Sequence, residues 1–236
     1  MGLKESGLRG SLRNVSVGID AIPDSGLDHF WWGPSIENIS IWPDGEGDED
    51  LSHEGEQNSI FGDINGTQAV DYPGDSYHEG DTALSFGSDN VYTGVAVFQL
   101  ADNNDVQTVI SFGNTQTGGD GSRFQVGFDN DGYRVAHAGV ENSTFVGNAD
   151  TDPHVAVFTY DGSNIILDID GEGLLNESLD SPNPPSEPTR IGNDFADFEA
   201  EGLIAAGGFE SDVADSNRRD ELTELLADPF DIPVST

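Results

Sequence analysis

Alternating carboxylates late in the chain have the clearest spacing for catalysis. In Asp197-Phe-Glu-Ala-Glu201, Glu199 and Glu201 would lie on one face of a strand, because side chains along a strand alternate between its two faces. Two neighbouring carboxylates can act as the acid and the nucleophile of glycoside hydrolysis. However, the chain has 45 acidic residues, so such spacings arise by chance. We therefore predict a surface loop here, no catalytic residues, and a protein that is not an enzyme.

A second acidic segment offers the oxygen ligands that calcium prefers. Asp129 and Asp131 belong to Asp129-Asn-Asp-Gly132, and carboxylates are suited to this hard cation. The same four residue types are also common in ordinary turns, and the spacing of an EF-hand is absent. Two interpretations therefore stand side by side: a hairpin turn, and a calcium site at Asp129 and Asp131. The sequence indicates no other cofactor.

Aromatic and imidazole side chains close to Asp and Asn residues suggest a glycan-binding surface. The candidates are Trp32, Tyr77 and His78. Trp31 and Trp32 are adjacent, so in an extended strand they point to opposite faces and at most one is buried in a sheet core. The other is then available to a sugar ring. The alternative is that all three candidates pack in the core or at its edge.

The first twenty residues differ in charge from the rest of the chain. Lys4, Arg9 and Arg13 are three of the eight basic residues, and Lys4 is the only lysine. We predict that residues 1–20 form an arm that docks on an acidic partner, either another copy of the chain or another protein of the same assembly. A symmetric homo-oligomer is then expected. The alternative is a frayed tail.

The net charge of the chain, 8 − 45 = −37, restricts its environment and its partners. Such charge opposes compaction, and molar salt, with a Debye length of about 3 Å, screens it. Acidic residues in place of lysine across a strand-rich chain indicate a halophile's protein. The alternative, a disordered acidic chain, is opposed by the 13 phenylalanines. A basic patch for nucleic acid is absent, as are cysteines, a membrane-spanning apolar run and a signal-peptide core.

Short runs rich in Val, Ile, Phe and Tyr between residues 90 and 170 predict the elements that must position these side chains. Several alternate with period two, and turn sequences such as Asp161-Gly-Ser-Asn164 separate them, which is typical of antiparallel hairpins. Alternation buries one face of each strand, so two such sheets can share a core. Residues 215–227 form the one predicted helix, with Asp215 or Ser216 as its N-cap. The fold class is therefore all-β.

Several segments, taken in order, resemble concanavalin A-like domains of the LamG/pentraxin type. They are Ile22-Pro-Asp-Ser25, Ile41-Trp-Pro-Asp-Gly45, Ile64-Asn-Gly-Thr-Gln-Ala-Val-Asp-Tyr72 and a hairpin at residues 154–171 that ends in Asp-Gly. The resemblance covers residues 22–232. One departure is Ala205-Ala-Gly-Gly-Phe209, where the family usually has Glu-Val-x-Val-Tyr.

The resemblance implies an antiparallel jelly-roll β-sandwich with an N-terminal extension and one short C-terminal helix. Two parts follow from it: residues 1–20 as the arm, and residues 21–236 as the concanavalin A-like jelly-roll domain. Such domains host many roles, so the fold alone does not decide the function.

The leading hypothesis is a non-enzymatic protein on the virion surface of a halophilic archaeal virus, as a capsid turret, a decoration or a tail-spike component. It would assemble through residues 1–20 and contact host-surface glycans, as domains of this kind in virions often do. The binding-type fold, the basic arm and the absent signal peptide motivate it. The alternatives are a carbohydrate-binding module or secreted, extracellular lectin, and a glycoside hydrolase that uses Glu199 and Glu201.

Overall fold

Two antiparallel sheets packed face to face make up most of the chain. The computed structural model describes residues 24–101, 105–113, 119–127, 132–193 and 198–235. Sheet A contains, in spatial order, β14 (Glu172–Ser178), β13 (Asn164–Ile169), β12 (His154–Tyr160), β7 (Tyr92–Leu100), β16 (Glu201–Glu210), β5 (Thr67–Pro73) and β4 (Ile60–Ile64), and β1 (His29–Trp32) pairs with β16. Sheet B contains β11 (Glu141–Asn142), β10 (Gly132–His137), β9 (Ser122–Gly127), β8 (Val106–Phe112), β15 (Thr189–Ile191), β6 (Ser76–Glu79), β3 (Leu51–Gly55) and β2 (Ile41–Trp42).

The predicted fold class, an antiparallel jelly-roll sandwich with one short C-terminal helix, is confirmed. The helix is α1 (Ser216–Ala227). Residues 1–23 lie outside the described ranges, so Lys4, Arg9 and Arg13 and the division between residues 1–20 and 21–236 stay predictions. Nowhere in the described ranges is a helix both long and apolar enough to cross a membrane.

Aromatic side chains fill the space between the two sheets. Phe158 of β12 stacks on Phe124 of β9, with ring centroids 5.5 Å apart, and on Phe112 of β8 at 6.2 Å. All three side chains are fully buried. Each aromatic side chain removes a large apolar area from water, and stacked pairs add about 0.5–1.5 kcal/mol beyond that burial. These contacts hold the sheets together in spite of the charge of the chain.

The central strands of sheet A are buried on both faces, which differs from the expected burial of one face. In β7, Phe98 points to sheet B, whereas Val95 and Val97 point away from it and are still fully buried. Helix α1 and the segment that follows it cover this outer face. Leu222 and Leu226 of the helix belong to the same apolar cluster as the two valines. The two-sided burial explains why β7 and β12 read as near-continuous apolar runs.

Helix α1 is fixed to the sandwich by its cap and by a charge pair. Asp215 is the N-cap, because its Oδ1 accepts a hydrogen bond from the Arg218 amide at 2.9 Å. Arg219 Nε donates to Asp168 of β13 at 2.6 Å, which ties the helix to sheet A. A 3-10 turn, Asp228–Phe230, follows the helix and places Phe230 against Trp32 with ring centroids 5.2 Å apart.

The acidic segment between residues 43 and 50 is folded inward. The Asp44 carboxylate is fully buried, accepts hydrogen bonds from the amides of Phe30 and Gly47 at 2.9 Å, and lies 2.6 Å from His29 Nδ1. Burial alone would raise the pKa of Asp44, but the hydrogen bonds from His29 and the amides lower it below its ordinary value. Some of the acidic residues therefore organise loops instead of coating the surface.

We expect Leu222→Ala to lower the free energy of unfolding by about 2–5 kcal/mol, because it leaves a cavity between α1 and sheet A. Leu225→Ala is the matched control, since Leu225 is only half-buried on the same helix, and its loss should be well under half as large. Denaturant unfolding at fixed salt measures both. Equal losses in the two variants would contradict this packing of the helix.

Candidate functional site

A pocket opens at the rim of the sandwich, beside the turn between β13 and β14. We call it the His154 pocket; its volume is about 560 Å³. Loop residues 147–150, the start of β12, the β13–β14 turn and residues 233–235 enclose it. Its polar lining residues are Tyr133, Asn148, Asp150, His154, Asp170, Glu172 and Ser235, and its apolar ones include Ile169, Leu174 and Pro233.

His154 lies between two carboxylates. Its Nδ1 is 2.6 Å from Asp170 Oδ2 and its Nε2 is 3.0 Å from Asp150 Oδ1. Burial alone would lower the pKa of His154, but the hydrogen bonds and charges of Asp170 and Asp150 raise it above the ordinary value of 6.5. The protonated imidazole thus binds the loop before β12 to the β13–β14 turn, and this link is at full strength below pH 6.5.

The β13–β14 turn positions Asp170. Asp170 and Gly171 both have left-handed backbones, with φ of 52° and 78°, as an Asp-Gly hairpin turn requires. Asp170 Oδ1 accepts a hydrogen bond from the Val155 amide at 2.8 Å, which fixes the carboxylate beside His154. The carbonyl of Asp170 accepts one from the Ser235 amide, also at 2.8 Å, so the C-terminal residues form one wall of the pocket.

Tyr133 contributes a buried hydroxyl at the pocket. Its ring packs edge-on to His154, with centroids 5.7 Å apart. The hydroxyl has no hydrogen-bond partner of normal geometry in the part of the chain that the structure describes, although the Asp150 amide lies close to it. Burial, together with the charges of Asp150 and Asp170, raises the pKa of Tyr133, so the phenol keeps its proton.

A second polar surface lies on the face of sheet B that points away from sheet A. Arg190 of β15 is paired with Ser111 of β8, and Ser111 is paired with Arg123 of β9. Arg134 of β10 is paired with Gln125, two residues beyond Arg123 on the same strand face. We call this surface the arginine face. It carries three of the five arginines that the structure describes.

Each arginine of this face lies over an aromatic ring. The guanidinium-to-centroid distances are 5.2 Å for Arg123 and Phe198, 4.4 Å for Arg134 and Phe145, and 4.4 Å for Arg190 and Tyr77. Arg190 also forms an ion pair with Glu79, its neighbour on β6. Such stacking holds the guanidinium groups in defined orientations.

The structure separates the three predicted glycan-binding residues. Trp32 is 2% exposed beneath α1, and His78 is fully buried between Tyr72 and the Ile39 carbonyl. The prediction for these two is therefore corrected: their side chains contribute to the core because the strands that carry them are covered on that side. Tyr77, next to His78, points to the arginine face and is half-buried there.

The acidic candidates lie elsewhere. Asp129 and Asp131 fall outside the described residues, so the calcium site stays a prediction, and the described ranges contain no group of three or more His, Asp or Glu residues arranged for a metal. Glu199 and Glu201 lie together beside Gly74, with carboxylate oxygens 3.7 and 3.3 Å from where a Cβ of that residue would be. They do not line the His154 pocket.

Sequence reasoning missed the His154 pocket. Its residues come from distant parts of the chain, between Tyr133 and Ser235. Only the pairing of β12, β13 and β14 in sheet A, and the packing of β10 of sheet B against them, brings these residues together. One local signal was present: the Asp170-Gly171 turn, directly after an alternating strand. For the arginine face, the sequence signal was three arginines in a chain with only eight basic residues, two of them, Arg123 and Arg134, in the strand-rich stretch between residues 90 and 170.

We expect Asp170→Asn to lower the pKa of His154, because the variant loses the negative charge and the acceptor at Nδ1. Asp152→Asn, at an exposed residue of the preceding loop, is the control and should leave that pKa unchanged. NMR titration of the imidazole C–H resonances measures the pKa in each variant. An unchanged His154 pKa in Asp170→Asn would contradict the ion pair.

Comparisons with known proteins give a fold and no family. No protein-family model and no curated protein matches the chain. Among solved structures, Trypanosoma rangeli sialidase in complex with 2,3-difluorosialic acid is similar, with a TM-score of 0.64, 15% identity, and 88% of this chain and 33% of that chain covered. Domain 4 of AbnA, a GH43 extracellular arabinanase from Geobacillus stearothermophilus in complex with arabinotriose, gives a TM-score of 0.66, 13% identity, and coverage of 84% and 97%.

A structure of botulinum neurotoxin type C that concerns its interaction with two ganglioside molecules has a TM-score of 0.61, 11% identity, and 86% and 52% coverage. The chain thus spans about one third of the sialidase chains that it matches. At these identities the likeness shows the fold, a jelly-roll-like sandwich, with which the concanavalin A-like resemblance agrees. The prediction that the chain is not an enzyme is corrected, because the structures that share its fold include chains of a sialidase and an arabinanase, so this fold also occurs in enzymes.

Proposed function

We propose that the chain binds glycans and that the His154 pocket holds a sugar. The observation that carries this proposal is the hydroxyl of Tyr133. The residue is 2% exposed, and its hydroxyl has no hydrogen-bond partner of normal geometry in the described part of the chain, although the Asp150 amide lies close to it. A buried polar group without a partner costs about 1–3 kcal/mol. The hydroxyl oxygen is closed to solvent, so a neighbouring side chain has to move before a ligand hydroxyl in the pocket can satisfy it.

Other polar groups of the pocket suit a polyhydroxylated ligand. Asp150 exposes 57% of its side chain although one oxygen is bound to His154, so a carboxylate oxygen remains open to the pocket. Glu172 and Asn148 are exposed at the same rim. Carboxylates accept hydrogen bonds from sugar hydroxyls, and an amide both donates and accepts.

The pocket also has an apolar wall, formed by Ile169, Leu174 and Pro233. Its volume, about 560 Å³, lies within the range of about 300–1,000 Å³ that is usual for small-ligand sites. A sugar presents hydroxyl groups at its edge and C–H groups on its faces, so it matches a lining that mixes carboxylates with aliphatic side chains.

The comparisons support this proposal at the level of the fold. Two of the similar structures contain saccharide-type ligands, arabinotriose and 2,3-difluorosialic acid, and a third concerns gangliosides. These ligands belong to those proteins. They make glycans the first class of ligand to test here, and both binding and cleavage are open outcomes of the test.

The wider setting that we propose is the one suggested by the sequence: display on the virion of a halophilic archaeal virus, with residues 1–20 as the anchor. The charge distribution supports an anchor. Residues 1–20 carry 3 − 2 = +1, whereas the rest of the chain carries 5 − 43 = −38. Opposite charge favours docking of the arm on an acidic surface. A carbohydrate-binding module or secreted lectin is the alternative setting.

We expect a saccharide to bind the pocket and Tyr133→Phe or Glu172→Gln to weaken binding about three- to tenfold, as the loss of one hydrogen bond predicts. Calorimetric titration with arabinotriose, a saccharide without a charge, measures this. Tyr77→Phe and Glu224→Gln make the same chemical changes away from the pocket and should leave affinity unchanged. Affinity that falls only in Tyr77→Phe would contradict the proposed location.

The same incubations, analysed by chromatography, distinguish binding from cleavage. Shortened oligosaccharides that disappear in Glu172→Gln would make the pocket an active site. Intact oligosaccharides together with measurable affinity would make it a binding site.

For the arm, we expect the full-length chain to be an oligomer in about 2 M salt, where charges more than a few ångströms apart are screened. Removal of residues 1–20 should leave monomers. Native mass measurement tests this, and a variant that replaces Lys4, Arg9 and Arg13 with Gln separates the charge of the arm from its length. A monomer in every case would contradict the anchoring role and favour a free-standing module.

A further inference from the structure

Arg134 on the arginine face is held in place by neutral groups. Its Nε donates to Gln125 Oε1 at 2.9 Å, and Gln125 Nε2 in turn donates to Thr108 Oγ1 at 3.1 Å. This chain of hydrogen bonds crosses three neighbouring strands, β10, β9 and β8. It fixes the Nε edge of the guanidinium group and leaves the edge with the two terminal nitrogens for another partner.

No carboxylate neutralises Arg134 in the described part of the chain. Arg134 takes no part in the ion pairs of Arg190, Arg218 and Arg219, or in those that histidines form. Such a lack of pairing is unexpected in a chain with 45 acidic residues and eight basic ones. It indicates that the position is kept clear of acidic side chains.

A second cation lies close to Arg134. Arg123 on β9 faces Ala136, two residues beyond Arg134 on β10, so the two arginines are diagonal neighbours on one face. Burial, and then the charge of Arg123, lower the pKa of Arg134 to about 10. The charge of Arg134 is a local positive site in a strongly negative protein, and a bound anion would neutralise it.

We propose that Arg134 binds the carboxylate of an acidic saccharide. The planar fork of Arg134 is oriented on one side by Gln125 and on one face by the ring of Phe145, and such a fork binds a carboxylate through two parallel hydrogen bonds. This site is separate from the His154 pocket. Tyr133 and Arg134 are consecutive on β10, so their side chains point to opposite faces of sheet B.

Two features favour a singly charged sugar over other anions. The half-buried rings of Phe145 and Phe198 flank the arginines and offer apolar surface to the C–H groups of a sugar ring. The charge of −37 repels anions in general, and it repels a polyanion such as a nucleic acid far more than a monoanion. The ligand that fits is therefore one carboxylate on a sugar.

The experiment is a titration of the full chain with glucuronate, glucose and acetate at one fixed salt concentration, followed by NMR or calorimetry. We expect glucuronate to bind at least about tenfold more tightly than glucose, which lacks the carboxylate, and than acetate, which lacks the ring. Equal affinity for glucose and glucuronate overturns the carboxylate assignment. Equal affinity for acetate and glucuronate overturns the saccharide.

Variants locate the site. Arg134→Gln should weaken glucuronate binding at least about tenfold, and Arg134→Lys should recover only part of it, because lysine restores the charge but not the fork. Arg219→Gln removes the same charge on α1 and should leave the affinity unchanged. Glucuronate affinity that is unchanged in Arg134→Gln overturns the proposal. Glucuronate binding that falls in Tyr133→Phe but not in Arg134→Gln also overturns it, by placing that sugar in the His154 pocket.

Discussion

Burial of aromatic side chains between the two sheets is the interaction on which the rest of the structure depends. A chain with a charge of −37 repels itself, and without cysteine it has no disulfide to resist that repulsion. The burial and stacking of the rings around Phe158 supply the free energy that opposes this repulsion. Acidic groups that enter the fold do so as acceptors: Asp44 for backbone amides, and Asp170 for His154 and the Val155 amide. Their negative charge thus also orders loops.

The outer faces of the two sheets differ: one is covered by a second apolar layer and the other carries polar side chains. This difference bears on where a ligand could bind. Helix α1 and the residues after it seal the outer face of sheet A with a second apolar layer. The outer face of sheet B carries hydrogen-bonding and cationic side chains instead, from Glu79 to Arg134. The two sites that we propose for ligands are the arginine face and the His154 pocket. Strand β10 serves both, since its side chains alternate between them.

Features that depend on neighbouring residues were predictable from the sequence, whereas features that depend on strand pairing were not. The turn at Asp161 follows from local chemistry, because its carboxylate accepts from the amides of Ser163 and Asn164 at 2.9 and 2.7 Å. The cap at Asp215 follows in the same way. The burial of Trp32 depends on a helix almost two hundred residues later, and the pocket depends on four strands meeting at one rim. No window of sequence contains that information.

The positions of the three tryptophans determine what an optical experiment on this protein reports. Trp31 and Trp42 are buried between the sheets, and Trp32 lies in the layer beneath α1. Indole emission is therefore a readout of both apolar layers at once, and loss of either would shift the spectrum towards that of hydrated tryptophan. None of the three is among the described residues that line the His154 pocket. A sugar bound there would contact no intrinsic fluorophore brighter than Tyr133, so occupancy and unfolding are spectroscopically separable.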